Sequence, residues 1–449
     1  MPSKVFIIHV GNMKNKGTQA LLLSDVFLVR NTLGYDTTFS ISTSDVEGVR
    51  KLLPQAHVFP TFVGIPYEVA DLYALRRGIG RDSIKYKAVA LIALLAMPLQ
   101  VLLSVFSALF VKAGLPTVYN ADLLKDLKDS DIIISCSDEN FKDGVTLLPE
   151  NVYWMLTWWT LLVSRMADVM IAKFLGKPIV MFPNSIGRFH TRVGKLLAKM
   201  ALSKFDHILV RESKSCSVLD SLEINVPRTL TSDVTLIFDK DRNLGHQFRI
   251  EHHSQPAIGV CVGFYGYTLN RKATEHFVSS IAEALDDIVD KADFEVVFIP
   301  HYISGFPNDD LKVSKLVMNK MRNGRHSRIC AFSSVHLFKT LISQMDIVLS
   351  SKMHPAVLSV ASGVPVVCIG YDNKQFAFFD QLGLAQCVLP IKEVSKTNLE
   401  SRIDDVWRTR KEIVIKLECI IPVLQKSVVD STRKVLSRFV SVRSSKANG

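Results

Sequence analysis

At 449 residues the chain is long enough for two domains with cores of their own, and its 48% hydrophobic content excludes general disorder. Its net charge of +11 suits nucleic acid, anionic lipid or a phosphorylated substrate. The scattered lysines and arginines and the lack of a nucleic-acid-binding motif leave the last two, and no nucleic acid partner is expected.

Seven cysteines, with no Cys-x-x-Cys pair and no metal-ligand spacing, fit neither a disulfide framework nor a zinc site. They imply reduced thiols and a cytoplasmic protein. No secretory signal is expected, because the first apolar run is short and meets Gly11 and Asn12 at once.

Taken in chain order, Val5 to Val10 reads as a strand, followed by Gly11-Asn12-Met13-Lys14-Asn15-Lys16-Gly17 and a helical pattern from Thr18 to Leu33. Such a strand, loop and helix start make a nest of backbone N–H groups that receives an anion, with Gly11, Asn12, Asn15 and Gly17 as candidates. A plain structural turn is the competing reading. The glycine spacing is neither a dinucleotide fingerprint nor a Walker A loop.

Further strands are predicted at 36–42, 131–135, 178–183, 206–211 and 228–231, then at 257–262, 294–300, 328–331, 346–350, 365–369 and 386–389. Their alternation with helical segments predicts an α/β protein with parallel sheets. A polar, turn-rich stretch places the domain junction at 241–256. The expected organisation is a Rossmann-like domain over 1–240, a second over 257–395, helices over 396–440 and a disordered tail at 441–449, the two Rossmann-like halves facing a cleft.

One segment of the first half stands apart. Ala88 to Val111 contains no charged residue, is flanked by Lys85, Lys87 and Lys112, and at helical rise reaches about 36 Å. Three readings compete: a membrane span, a helix lying in one leaflet and a buried core helix. A span would put the two ends of one sheet on opposite sides of the bilayer, which disfavours it. Lysines on both flanks favour peripheral contact with an anionic leaflet, at the inner face of the plasma membrane.

In the second half the strand at 346–350 is followed by Lys352 and His354, and the strand at 365–369 by Tyr371 and Lys374. Ligands of parallel sheets bind beyond the carboxyl ends of the strands, so two cations and an imidazole face one crevice suited to a phosphate or carboxylate. His301, with Asp309 and Asp310, follows another strand end. Trp154, Trp158 and Trp159 form a helically spaced patch that reads more readily as packing than as a sugar platform.

Ser351-Lys352-Met353-His354, Gly363-Val364-Pro365 and Tyr371-Asp372-Asn373-Lys374 resemble, in order and spacing, the C-terminal signature of the polysaccharide pyruvyl transferases, with Lys352 where that family usually has Arg. The Gly11 to Gly17 loop is similar to the family's Gly-Asn-x-x-x-Asn-x-Gly element. Ser185-Ile186-Gly187-Arg188-Phe189 resembles its Ser-Ile-Gly-Pro-Phe, Val210-Arg211-Glu212 with Ser215 its Val-Arg-Asp-x-x-Ser, and Asp233 a later Asp. Asp131 to Glu139 resembles a strand that usually ends in two glycines, absent here, with Asp143 standing for an Asp beyond it.

The resemblance implies a GT-B-like fold and transfer of the pyruvyl group of phosphoenolpyruvate to two hydroxyls of a glycan or lipid-linked glycan, forming a ketal. It implies His354 as acid/base, Arg211, Lys352 and Lys374 as holders of the donor's charges, and Ser185 and Tyr371 as binding residues. That scheme requires no cofactor and no metal. A nucleotide-sugar glycosyltransferase of the same architecture, and a non-catalytic relative binding an anion or a partner, are the alternatives.

Overall fold

The structure is a computed structural model describing residues 3–144, 152–239, 255–263, 271–305 and 309–446. Strands such as Ile132–Ser135, His207–Val210 and Ile347–Ser350 are buried at every position, as in a parallel sheet covered by helices on both faces.

The first sheet is built from β1 (Lys4–Val10), β2 (Thr38–Thr43), β3 (His57–Pro60), β4 (Ile132–Ser135), β5 (Ile179–Asn184), β6 (His207–Val210) and β7 (Arg228–Leu230). Its order is β3-β2-β1-β4-β5-β6-β7, and every pairing is parallel. The second comprises β8 (Ala257–Cys261), β9 (Glu295–Phe298), β10 (Ser327–Ile329), β11 (Ile347–Ser350), β12 (Val366–Gly370) and β13 (Val388–Pro390), in the order β10-β9-β8-β11-β12-β13, again parallel. The α/β class with two Rossmann-like domains is as the alternation predicts. Only β3 escaped the sequence reading: it has four residues, lies at the sheet edge and exposes both ends, so it carries no buried apolar run.

The helices of the first domain are α1 (Lys16–Leu33), α2 (Val46–Leu52), α3 (Pro66–Arg77), α4 (Ile84–Lys112), α5 (Ala121–Asp129), α6 (Val152–Phe174), α7 (Arg192–Leu202) and α8 (Ser213–Ser221). Those of the second are α9 (Arg271–Ala292), α10 (Asp310–Lys320), α11 (Val335–Ile342), α12 (Met353–Ala361) and α13 (Asn373–Gln381), followed by α14 (Lys396–Arg408) and α15 (Arg410–Lys446). The last helix staples the halves together. Its Leu417, Ile421 and Leu424 enter the core of the second domain, and beyond Pro422 its Val428, Val435 and Leu436 enter the core of the first.

Residues 441–446, placed in a disordered tail, continue α15, a stretch with no proline or glycine to end the helix. The junction at 241–256 lies outside the described residues except at its last two positions. The reading of 88–111 as a buried core helix is excluded: α4 is largely exposed.

In each sheet the order reverses direction once, between β1 and β4 in the first and between β8 and β11 in the second. Crevices at such switch points are where α/β sheets bind ligands; the Gly11 to Gly17 loop follows β1 and Lys352 and His354 follow β11, while Ser185, Arg211 and Tyr371 with Lys374 follow the strands further along, β5, β6 and β12.

Candidate functional site

The two domains meet through polar groups. The Gly17 N–H donates to His301 Nε2 at 2.8 Å, Lys374 Nζ pairs with a Glu139 oxygen at 2.7 Å, and the Ser232 hydroxyl donates to Gln381 at 2.8 Å. Gln19 of α1 donates to the Ser333 carbonyl at 2.9 Å and accepts from the Val335 N–H at 3.0 Å.

His354 lies in the first turn of α12, with Lys352 as N-cap residue. Its ring packs edge-on against α1 of the other domain, where a Cβ on Gly17 would lie 2.2 Å from Nδ1. Only glycine allows that approach. On another side it stacks on His301, centroids 6.2 Å apart and planes 23° from parallel. The Nε2 of His354 is buried without a hydrogen-bond partner. Burial lowers its pKa, with Asp233 pulling the other way and Arg211 reinforcing the drop, so near pH 7 the ring is neutral.

His301 is fixed more firmly. Because its Nε2 accepts from Gly17, it is the neutral tautomer protonated at Nδ1. Burial, followed by the neighbouring His354, Lys352 and Lys16, holds its pKa well below the ordinary value.

Arg211, at the end of β6, is buried. Its Nη1 donates to Asp233 at 2.8 Å and its Nε to the Ser185 hydroxyl at 2.6 Å, while Nη2 is buried without a partner. Ser185 in turn donates to Glu212 at 3.0 Å. Burial raises the pKa of Glu212 against the pull of Arg211. Arg211, Asp233, Asp138 and Lys374 are the charges felt by His354. The structure therefore brings His354, Arg211, Ser185 and Lys374 to one place from two domains.

Each of the remaining cations faces a carboxylate. Lys352 Nζ lies 3.1 Å from Asp310, reaching it across Gly263, where a Cβ would fall 2.2 Å from Lys352 Cε. Glu139 is shared between Lys142 at 2.6 Å and Lys374 at 2.7 Å. Burial works to raise the Glu139 pKa, but the two ammonium groups prevail and hold it well below the carboxylate range. Lys142 also lies 5.1 Å over the Trp158 ring, which joins that one residue of the aromatic patch to the seam.

The loop after β1 differs from its expectation. Met13 N–H donates to Asp45, Lys14 N–H to Asn12 Oδ1, Asn15 N–H to the Asn12 carbonyl, Lys16 N–H to the His301 carbonyl, and Gly17 N–H to both Asn15 Oδ1 and His301. These amides, read as an anion-receptive nest, are all satisfied within the protein, and the Asn12 and Asn15 side chains close the turn. Gly11 lies beside Thr18. Tyr371 packs against the second domain's core, its N–H bonded to Gln375.

Three contributors were not among the sequence candidates. Lys16 is buried at the start of α1, and burial lowers its pKa to about 8 despite Asp310 and Asp309. It sits inside the Gly/Asn loop, so its position was legible but its burial was not. Gly263 follows the β8 strand, and Glu139 follows β4. At the strand end where the family usually has glycines, the Ser137 N–H and hydroxyl donate to Asp25 of α1 at 2.7 and 2.6 Å. Asp143 accepts from His190 and Thr191 at the start of α7, a capping role.

The family model described as polysaccharide pyruvyl transferase matches residues 46–373. The chain belongs to this family. The matched range of this pyruvyl transferase family member holds Ser185, Arg211, Lys352, His354 and Tyr371, and leaves the Gly11 to Gly17 loop and Lys374 outside.

Amylovoran biosynthesis protein AmsJ from Erwinia amylovora is 19% identical over 253 residues, 53% of this chain and 60% of that relative. The chain thus spans about three fifths of the length of this curated relative. Among solved structures, UDP-GlcNAc 2-epimerase from Neisseria meningitidis bound to UDP-GlcNAc superposes with a TM-score of 0.59 at 10% identity, covering 97% of this chain and 99% of the other. A putative UDP-N-acetylglucosamine 2-epimerase from Listeria monocytogenes gives 0.56 at 12% identity, with 96% and 94% coverage. Anabaena HepE in complex with UDP-glucose gives 0.53 at 10% identity, with 98% and 99% coverage. These likenesses concern the fold, which is of the GT-B kind.

Proposed function

We propose that this protein transfers the pyruvyl group of phosphoenolpyruvate to two hydroxyls of a sugar, as a ketal, in the synthesis of a cell-surface or exported polysaccharide. The observation that carries this reading is a pair of buried polar atoms without partners on opposite sides of the seam, Nε2 of His354 and Nη2 of Arg211. Such atoms are costly to leave unmet in a folded protein. One is suited to exchange a proton and the other to bind an anionic oxygen. Family membership supplies the reaction class.

Protonation of the donor's methylene carbon, concerted with addition of the first hydroxyl whose proton His354 relays, makes the adjacent carbon electrophilic. A sugar hydroxyl adds there and loses its proton, the bond to the phosphate oxygen breaks, and inorganic phosphate leaves. The second hydroxyl adds to the same carbon and closes the ketal. Of the two hydroxyl protons, one ends on the new methyl group and one on phosphate. His354, neutral near pH 7, takes the hydroxyl proton and returns it to carbon. Arg211 binds the donor through its remaining guanidinium nitrogen, while Lys352 and Lys374 exchange carboxylate partners for donor oxygens. The acceptor is a glycan or a lipid-linked glycan.

The test is incubation of the purified protein with phosphoenolpyruvate and candidate glycans. Phosphate release that requires the glycan supports transfer. Consumption of a UDP- or GDP-sugar instead would make the protein a glycosyltransferase. Donor binding without turnover on any acceptor would make it a non-catalytic relative.

A further inference from the structure

The sequence of α4 is inverted with respect to water. A helix on the outside of a domain ordinarily buries an apolar stripe and shows charges to solvent. In α4 the inner stripe, Tyr86, Ala93, Met97, Ser104 and Ala108, is buried against the domain. The opposite stripe is wholly apolar, with Ile92 at 65% and Leu95 at 71% exposure and Leu99, Leu102 and Phe106 more than half exposed.

A span is ruled out by topology. The chain enters α4 after β3 and leaves it before β4, and both strands belong to one sheet. The helix, about 43 Å long at 1.5 Å per residue, also keeps one stripe against protein, so it would lie flat. Gly64 N–H is tied to Gln100 at 2.9 Å, the Ser104 hydroxyl to the Phe62 carbonyl at 3.3 Å, and Lys112 to the Phe174 carbonyl at 2.8 Å, anchoring the helix to the domain at its middle and its end.

We infer that α4 lies in the plane of a membrane, its outer stripe sunk into one leaflet rich in anionic lipid. Charge complementarity selects that occupant: Arg76, Arg77, Lys85 and Lys87 are exposed around the α3–α4 turn against one exposed acid, Asp82, and Lys112 closes the other end. Basic residues beside an interfacial helix are attracted to anionic headgroups. A protein partner would call for hydrogen-bonding groups, of the order of one per 100–200 Å² of interface, and the outer stripe offers none.

The hairpin is also joined to the seam. Leu75 lies 3.9 Å from where a Gly305 Cβ would be, and Arg81 and Tyr302 feel each other's charge. Tyr302 N–H donates to Asp310, the partner of Lys352. Membrane docking thus holds Tyr302 and Gly305 close to the bilayer surface, where a lipid-linked acceptor would be presented. This last clause rests on the proposed function; the docking does not.

The experiment is sedimentation of the full chain with phosphatidylcholine vesicles, with and without phosphatidylglycerol, in the absence of donor and acceptor. The wild type is expected to pellet with the anionic vesicles. The combined variant Leu95→Glu, Leu102→Glu and Phe106→Glu, whose side chains leave the domain core untouched, is expected to keep its Tm and lose at least about tenfold in partitioning. Lys85→Glu with Lys87→Glu is expected to lose the preference for phosphatidylglycerol. Wild type left in the supernatant with both vesicles, or a triple variant that pellets equally well, overturns the inference. So does a wild-type dimer that ignores vesicles and becomes a monomer in the triple variant, since a second copy would then cover the stripe. Because no turnover is measured, failure here leaves the transfer chemistry untouched.

Discussion

The domain seam and helix α4 break the ordinary rule of burial in opposite senses. At the seam, Arg211, Asp233, Lys352, Asp310 and Glu139 are taken out of water in pairs, and His354 has a ring nitrogen with no partner at all. On α4, leucines and two phenylalanines are held in water while serines and a tyrosine turn inward. Burying charge and exposing hydrocarbon are both unfavourable for a chain considered alone. On the readings proposed above, each is completed by a molecule from outside, an anionic donor in one case and a bilayer in the other.

The sharpest way to break the comparison is at the seam. Replacing His354 with Ala is expected to lower glycan-dependent phosphate release by about 10² to 10⁴ with the circular dichroism unchanged. Turnover at the wild-type rate would remove the ring from the reaction.

Asp233→Ala would strand the Arg211 guanidinium in the interior, and loss of one partner of a buried pair costs about 3–5 kcal/mol. Denaturant unfolding is the measure, and a cost below 1 kcal/mol would show that Arg211 reaches water. A smaller effect is expected from Gly17→Ala. Its new methyl collides with His354, and overpacking costs about 1–3 kcal/mol. Turnover should fall more than stability does, because the displaced group is the proposed proton carrier; equal turnover in the two proteins would show that the ring yields without consequence.

The smallest effect concerns Asp25. Burial pushes its carboxyl up to about 7, the two bonds from Ser137 opposing. Since the folded state holds this proton more tightly than the unfolded state, stability from this group is full below pH 3.8, falls as the pH rises towards about 7, and is level above that. Tm measured across this range in wild type and Asp25→Asn should differ by that slope, and parallel curves would show that Asp25 does not titrate there.

Much of this was legible in the chain itself. The paired apolar runs at 347–350 and 366–369, with Lys352, His354, Tyr371 and Lys374 at their ends, specify a parallel unit and its ligand-facing edge, because β-strand period and loop position are local properties. The absence of charge between Lys87 and Lys112 is likewise written in the sequence. Local patterns could not say that the amides of Met13, Lys16 and Gly17 have acceptors on other segments. Nor could they say that Lys352 has a partner in Asp310, across Gly263.

The sequence by itself determined the class of fold and the family signature, since these depend on residue type and spacing along the chain. The tertiary structure alone decided that His354 rests on Gly17 of the opposite domain, that its Nε2 and the Arg211 Nη2 are left unpartnered, and that the aliphatic face of α4 points away from protein. Those facts depend on which surfaces two independently folded sheets present to each other, and spacing along a chain carries no record of distances across a seam.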